Sequence, residues 1–401
     1  MRNLRWWLLV GLAAGVARAA EPLEVEWKNG LRMRSTDGAF EIRPRVFVQV
    51  DAAGFRDDED VNAALAAEAE EGEDPDAFQG GAEVRRARTG FEGTLYGAVG
   101  FEVIYDFAGD QVEPVDVYVA LLQLPAAGTL CIGHQREPFS RLQGGTANYI
   151  FLEKGLQDAL VPDRNLGVRL LQRAAHERLA WSAGAYYDTD KQGATTDEEA
   201  YDLAARLSGL PWYEAESGRL LHLGAAYAYR RAPDGEFDFS ARPEAHLGEN
   251  LVGRDDVPAD AADLYGAEAA LVLGSLSFLG EYVRADLDAE SGAALNGWYA
   301  TASWFLTGET RGYDTAEGKL GGVKPRRIYG AGGGGAWEIA ARVSAVDLND
   351  GAVQEGELED FTLALNWYLN PHVKCLLNYI RADAADRGDL EIVQARVQLG
   401  F

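Results

Sequence analysis

Five histidines, His134, His176, His222, His246 and His372, lie scattered along the chain. None has the i, i+4 pairing or the carboxylate partner that zinc or general-base chemistry uses. There is no Gly-x-Ser-x-Gly elbow, no phosphate-binding loop and no dinucleotide fingerprint, so hydrolysis and hydride transfer lack their usual signatures. The nearest approach to a nucleophile and base is Ser182 with His222, on separate segments. Cys131 and Cys375 are the only cysteines, and their separation leaves pairing open while excluding a disulfide framework. The net charge of -27 argues against a nucleic-acid partner. Ten acids and no base lie between Asp57 and Asp76, a block that reads as a solvated loop with affinity for divalent cations. No cofactor fingerprint and no metal-ligand spacing is present.

What the charged residues do share is a place in a strict two-residue alternation, which puts successive side chains on opposite faces of a strand. In Glu41 to Asp51, one face holds Ile42, Pro44, Val46, Val48 and Val50. The other holds Glu41, Arg43, Arg45, Phe47, Gln49 and Asp51. Arg86 to Tyr96 sets Ala87, Thr89, Phe91, Gly93 and Leu95 against Arg86, Arg88, Gly90, Glu92 and Thr94. At the chain end Val393, Ala395, Val397, Leu399 and Phe401 oppose Gln394, Arg396 and Gln398.

The same pattern predicts sixteen strands. They fall at 41–51, 86–96, 99–107, 114–122, 128–136, 164–173, 179–187, 201–207, 219–230, 263–273, 275–285, 297–306, 336–347, 360–369, 371–381 and 390–401. Val25 to Arg34 reads as a further short strand or a lead-in. A soluble sandwich would bury the apolar face and need a far larger core. An antiparallel up-and-down transmembrane β-barrel inverts the faces, with an apolar band outward and a polar lumen, and accounts for both.

Connection lengths agree with a barrel. Long connections at 52–85, 137–163, 188–200 and 231–262 alternate with short turns at 97–98, 123–127, 174–178, 274 and 370. Thr307 to Gly335 breaks the rule: it is long, yet falls on the short-turn side, which implies that it folds into the lumen or rim or hides a missed hairpin. The first nineteen residues, with the apolar run Trp6 to Val16 and the Ala17-Arg18-Ala19 cleavage site, read as a signal peptide. Residues 20–40 then form a periplasmic lead-in and 41–401 the barrel. No later window is apolar enough for a membrane helix.

Several segments resemble the phosphate-selective porin O and P family of Gram-negative outer membranes. They are Arg85-Arg86-Ala87-Arg88 with Gly90-Phe91-Glu92-Gly93, Tyr105-Asp106-Phe107-Ala108, and Gly133-His134-Gln135-Arg136-Glu137-Pro138-Phe139-Ser140. Trp298-Tyr299 with Leu306-Thr307-Gly308-Glu309, Ala336-Trp337-Glu338 with Ala341-Arg342, and Asn366-Trp367-Tyr368-Leu369-Asn370-Pro371 continue the match. The resemblance implies a homotrimeric sixteen-stranded porin in outer-membrane lipid, whose third external loop folds inward and whose basic side chains line a path for small anions such as phosphate or polyphosphate. Carried onto this chain, that path takes Arg43, Arg45, Arg86, Arg88, Arg342 and Arg396 from the walls, and Arg136, Arg141 and Lys154 in or beside the constriction loop. Guanidinium forks suit phosphate oxygens.

The residues themselves leave alternatives open. Glu41, Glu92, Glu102, Asp106, Asp116, Glu268 and Glu281 share the lumen face, so the arginines could equally be wall ion pairs of a general or cation-leaning porin. A structural or adhesive barrel with calcium-binding acidic loops is another reading. A barrel hydrolase built on Ser182 and His222 is a third, although both residues fall on lumen faces. The aromatics Trp181, Tyr187, Tyr201, Tyr227, Tyr229, Trp298, Trp304, Trp337, Trp367, Tyr379 and Phe401 read as interfacial girdles first and as trimer contacts second.

Overall fold

The computed structural model describes residues 23–28, 30–57, 61, 78–125, 127–195, 197, 199–232, 234–289, 292–385 and 387–401. The expected signal peptide, and the acidic block apart from Asp57, lie outside the described residues. In chain order the strands are β1 (Leu23–Trp27), β2 (Leu31–Ser35), β3 (Phe40–Asp57), β4 (Gly81–Leu95), β5 (Val99–Asp106), β6 (Glu113–Leu124), β7 (Gly128–Arg136) and β8 (Arg164–Ala174). The chain continues with β9 (Leu179–Tyr187), β10 (Tyr201–Glu214), β11 (Arg219–Arg231), β12 (Glu236–Ala241), β13 (Val252–Pro258), β14 (Ala261–Leu273), β15 (Leu276–Asp288) and β16 (Ala294–Phe305). The last strands are β17 (Tyr313–Asp314), β18 (Lys319–Leu320), β19 (Ala336–Asp350), β20 (Val353–Tyr368), β21 (Val373–Ala384) and β22 (Gly388–Gly400).

Sixteen of these form one antiparallel barrel, closed where β22 pairs with β3, Arg396 opposite Asp51. They are the sixteen strands that the alternation predicts. The β1–β2 hairpin stands at the short-turn rim, where Trp27 packs on His372 and Phe401 at ring-centroid distances of 5.7 and 5.6 Å. The short turns use local chemistry: Asn370 Oδ1 accepts the backbone N–H groups of His372 and Val373 at 2.8 and 3.0 Å, an Asx turn between β20 and β21. Gly274 turns β14 into β15 at φ +70, a conformation that a Cβ would disfavour.

Across the middle of each strand the outer face is apolar and the inner face polar. On β16, Trp298 and Trp304 point outward six residues apart, about 20 Å of strand. On a strand tilted by about 35–45° that is about 15 Å of height, so both lie within an apolar band about 25 Å tall. Towards the long-loop rim the polarity of the two faces inverts. Glu357 and Glu359 on β20 and Arg381 and Asp383 on β21 point outward, while Leu358, Ile380 and Ala382 point in. These ends stand clear of the apolar band, so water covers the outside and loops cover the inside. The same inversion explains why β15, β19, β20 and β21 run past the predicted ends, to Asp288, Asp350, Val353 and Ala384.

The interior of the barrel is packed on one side. Phe139, Leu156 and Leu160 of the 137–163 loop, hereafter L3, join Phe237 and Phe239 of the β12–β13 hairpin in an apolar core with Leu264, Val283, Leu295, Leu358 and Ile380 from the wall. A second cluster unites Leu142, Ile150 and Phe151 of L3 with Leu320 and the wall residues Leu220, Leu279 and Tyr299. Leu320 belongs to the 306–335 segment. That segment therefore folds up into the lumen from the short-turn rim and meets L3 there, and it also holds the small β17–β18 hairpin that the alternation missed, so both outcomes its length implied are found.

Candidate functional site: a lumen narrowed from both rims

L3 has no strand partner inside the barrel, yet its carbonyls cannot be left bare in a packed interior. Side chains from β19 to β22 supply the donors. Gln398 donates to the Ala147 carbonyl at 3.2 Å, Lys374 to Tyr149 at 2.8 Å and Asn366 to Ile150 at 2.8 Å. Arg396 donates to the Leu152 carbonyl. Arg342 donates to Glu153 and Lys154 at 3.1 and 3.3 Å. Both arginines are also ion-paired: Arg396 with Asp51 at 2.5 Å and Glu153 at 2.6 Å, and Arg342 with Glu244 of the 232–260 loop. The Arg342 guanidinium additionally lies 4.1 Å from the Phe151 ring centroid.

Burial opposes ionisation of Glu153, but Arg86, Arg85 and Arg396 together outweigh it and hold its carboxyl well below the usual range. The 306–335 segment is fastened in the same way. Arg206 donates to the Glu317 and Gly318 carbonyls at 2.9 and 2.6 Å, and Arg311 pairs with Glu338. The backbone N–H of Leu320 reaches the Leu142 carbonyl of L3 at 2.8 Å, and Arg141 reaches Glu317 at 3.1 Å. Glu317 is half-buried, and the desolvation that opposes its ionisation is outweighed by Lys319, Arg141 and Arg169, which hold it well below the ordinary carboxylate range.

With one side of the lumen filled, open space remains against the wall of β3 to β8. A cavity of about 380 Å³ faces the short-turn rim and another of about 390 Å³ faces the long-loop rim. They meet at Arg88, Arg136 and Arg164 on the wall and at Thr146 and Tyr149 on L3, all of which line both cavities. Each wall arginine has an acid beside it: Arg88 with Asp106 at 2.7 Å, Arg136 with Asp163 at 2.7 Å, and Arg164 with Asp116 at 3.2 Å.

Of the residues that the resemblance pointed to, Arg45 and Arg141 line the short-turn cavity, Arg86 and Lys154 the long-loop cavity, and Arg88 and Arg136 both. Arg43 lines neither; it is partly exposed and paired with Glu41 at 2.8 Å. Arg342 and Arg396 face the lumen as expected but lie beneath L3, 1% and 2% exposed, and border neither cavity. The loop covers them because they bind its carbonyls.

Arg85, Arg164, Arg169, Lys319 and Lys374 line the cavities without having been singled out. Arg85 is reached through a bulge: the register steps from Gln49↔Arg86 to Val50↔Val84, so Arg85 and Arg86 both turn inward, and Arg85 pairs with Glu153 at 3.1 Å. The signal was the Arg85-Arg86 doublet itself. Strict alternation would place one of the two on the lipid face, at a cost of about 2–4 kcal/mol at mid-membrane. Ser182 and His222 do not meet. They sit on β9 and β11 with β10 between, and both ring nitrogens of His222 are engaged, with Tyr313 at 2.7 Å and Glu268 at 2.9 Å. His222, like His246 beside Glu83 at 2.8 Å, thus has the carboxylate partner that its sequence position did not show, because the partner comes from a distant segment. Cys131 and Cys375 are free thiols.

Residues 59–401 match the family model described as phosphate-selective porin O and P. The chain is 29% identical to Porin O of Pseudomonas aeruginosa over 199 residues, covering 42% of this chain and 44% of that protein. It is 28% identical to an uncharacterized protein of Caulobacter vibrioides over 96% of this chain and 78% of the other. Among solved structures, the anion-selective porin from Comamonas acidovorans superposes with a TM-score of 0.54 at 12% identity, covering 90% of this chain and all of that one. With the family matched over most of the chain and a closed sixteen-stranded barrel around an inward-folded third loop, this protein belongs to the phosphate-selective porin O and P family, the outer-membrane porins, which are channels rather than enzymes.

Proposed function

We propose that the channel passes small anions along the β3–β8 wall, through a constriction between Arg88, Arg136 and Arg164 and the L3 residues Thr146 and Tyr149. The observation that carries this reading is the shared lining of the two cavities by those three arginines. Charge balance supports it: eight lysine and arginine side chains and three acids line the short-turn cavity. Guanidinium forks donate paired hydrogen bonds to phosphate or carboxylate oxygens. The neighbouring carboxylates already engage part of each fork, so a bound anion is held loosely enough to leave, as conduction requires.

On this reading the long-loop rim is external and the short-turn rim periplasmic, residues 1–19 direct export, residues 20–40 lead into the 41–401 barrel, and the chain works as a homotrimer. Phosphate is the natural first test anion given the family. The test is the reversal potential of the protein in a planar bilayer under a salt gradient, with chloride and then phosphate. A potential on the anion side is expected, and a cation-selective potential would overturn the reading.

A further inference from the structure

The outer wall carries a feature that the pore does not use. Lys324, Arg326 and Arg327 lie exposed on the 306–335 segment at the short-turn rim, and among the described residues none of their side chains forms an ion pair, the buried Glu309 carboxylate being engaged by the Arg326 backbone N–H at 2.9 Å. In a chain of net charge -27, three exposed cations within four residues, none in a side-chain ion pair among the described residues, are unusual. They sit beside an outward aromatic cluster: Trp337 stacks on Trp367 at 5.2 Å, and Tyr329 meets Trp367 edge-on at 5.1 Å. The segment is tied to the wall there, since Trp367 Nε1 donates to the Gly334 carbonyl at 2.8 Å and the Tyr329 N–H to the Leu369 carbonyl at 2.7 Å.

A second observation lies on the same face, nearer the middle of the band. An apolar groove of about 430 Å³ runs over β14, β15, β16 and β19, floored by Ala269, Gly280, Ala300, Ala302 and Ala341 and walled by Phe278 and Phe361 among others. Ala341 lies four residues along β19 from Trp337, about 13 Å. Small residues on neighbouring strands thus leave a slot within the apolar band, with the outward Ile339 and Trp304, opposite each other on β19 and β16, between it and the aromatic cluster.

We propose that this face holds one anionic phospholipid, its phosphate at Lys324, Arg326 and Arg327, its glycerol level at Trp337 and Trp367, and an acyl chain in the alanine-floored groove. The spacing suits a lipid lying along the wall: cations and aromatics at headgroup depth, then an apolar slot. A soluble phosphate source would account for the cations but not for the groove.

The test uses the full-length protein in neutral detergent, with phosphatidylglycerol or phosphatidylcholine added and bound lipid counted by native mass spectrometry. The wild type is expected to retain phosphatidylglycerol preferentially. The triple variant Lys324→Gln, Arg326→Gln, Arg327→Gln should lose that preference by more than tenfold, at about fivefold per removed charge, and keep its conductance and ion preference. Ala302→Trp, which fills the groove, should lower retention of both lipids. Unchanged phosphatidylglycerol retention in the triple variant would overturn the proposal, and so would its displacement from the wild type by inorganic phosphate alone. Dissociation of the oligomer by Ala302→Trp with lipid retention intact would assign the groove to a contact between copies of the chain instead. The pore reading stands or falls separately, on the reversal potential.

Discussion

Arg88 and Arg396 are both lumen-facing arginines with an aspartate partner, and only β3 separates their strands, yet they meet different surroundings. On the β3–β8 side Arg88 is paired with Asp106 and borders open cavity above and below. On the β19–β22 side Arg396 is paired with Asp51 and roofed by L3, to whose Leu152 carbonyl it donates. The lesson is that the role of a lumen arginine is set by what covers it. Where the opposite face is empty, its spare N–H groups are available to a passing anion; where a loop lies on it, those groups are spent on backbone carbonyls.

The sharpest way to break the comparison is to remove an anchor. Arg396→Met leaves Asp51 and Glu153 partly unpaired under L3, and breaking a buried pair from one side costs about 3–5 kcal/mol. The variant is expected to unfold at distinctly lower denaturant and, where folded, to show larger and noisier single-channel steps as L3 loosens. A quiet channel of normal conductance with ordinary stability would show that the remaining donors, Arg342, Lys374, Asn366 and Gln398, hold the loop without it.

On the open side the order of effects reverses. Arg88→Gln removes a constriction cation and frees the Asp106 carboxylate, while the wall has little packing to lose. A unit charge about 4 Å from an anion is worth about 1 kcal/mol even in water, roughly a fivefold change in occupancy. Anion permeability relative to cation should fall by about that factor, with thermal stability close to that of the wild type. Loss of stability without loss of preference would make Arg88 a wall residue and move the anion path elsewhere.

A smaller effect concerns pH. The Glu153 carboxyl is held below its unfolded value by Arg86, Arg85 and Arg396 against the cost of burial. Its contribution is therefore fully present above the unfolded carboxylate pKa, and is lost only as pH falls through the lower folded value. Conductance and noise should stay flat from pH 8 to pH 5, with L3 loosening reserved for strong acid. Glu153→Gln should bring that noise to neutral pH, and a transition near pH 6 would point to another group.

Much of the barrel could be read from the sequence because its physics is local: a two-residue period meets a lipid-facing wall, and sixteen strands follow. Strand ends were less legible, because beyond the apolar band water and loops exchange places and the polarity of Leu358 and Glu359 inverts without any break in the strand. The cationic wall was partly legible, since Arg86, Arg88 and Arg136 sit at regular inward positions, whereas Arg85 needed a bulge to bring it in. The division between anchor and path was not legible at all. Gln398, Lys374, Asn366, Arg342 and Arg396 have the alternation of any lumen residue, and only the course of L3, twenty-seven residues closing over them from 137 to 163, shows that their donors belong to its backbone.

The weakest expected effect tests where the path ends. Arg43 and Arg45 are neighbours on the inward face of β3 and both approach Glu92 at 3.6 Å, but Arg45 lines the short-turn cavity and Arg43 does not. Arg43 is also paired with Glu41 at an exposed site, where such pairs contribute about 0–1 kcal/mol. Arg43→Ala should therefore leave both stability and reversal potential within experimental scatter, while Arg45→Ala should shift the reversal potential slightly towards cations. Equal shifts from the two would mean that the field of the cationic wall extends to the rim itself. An anion would then be selected as it enters or leaves the mouth, as well as at the constriction between Arg88, Arg136 and Arg164.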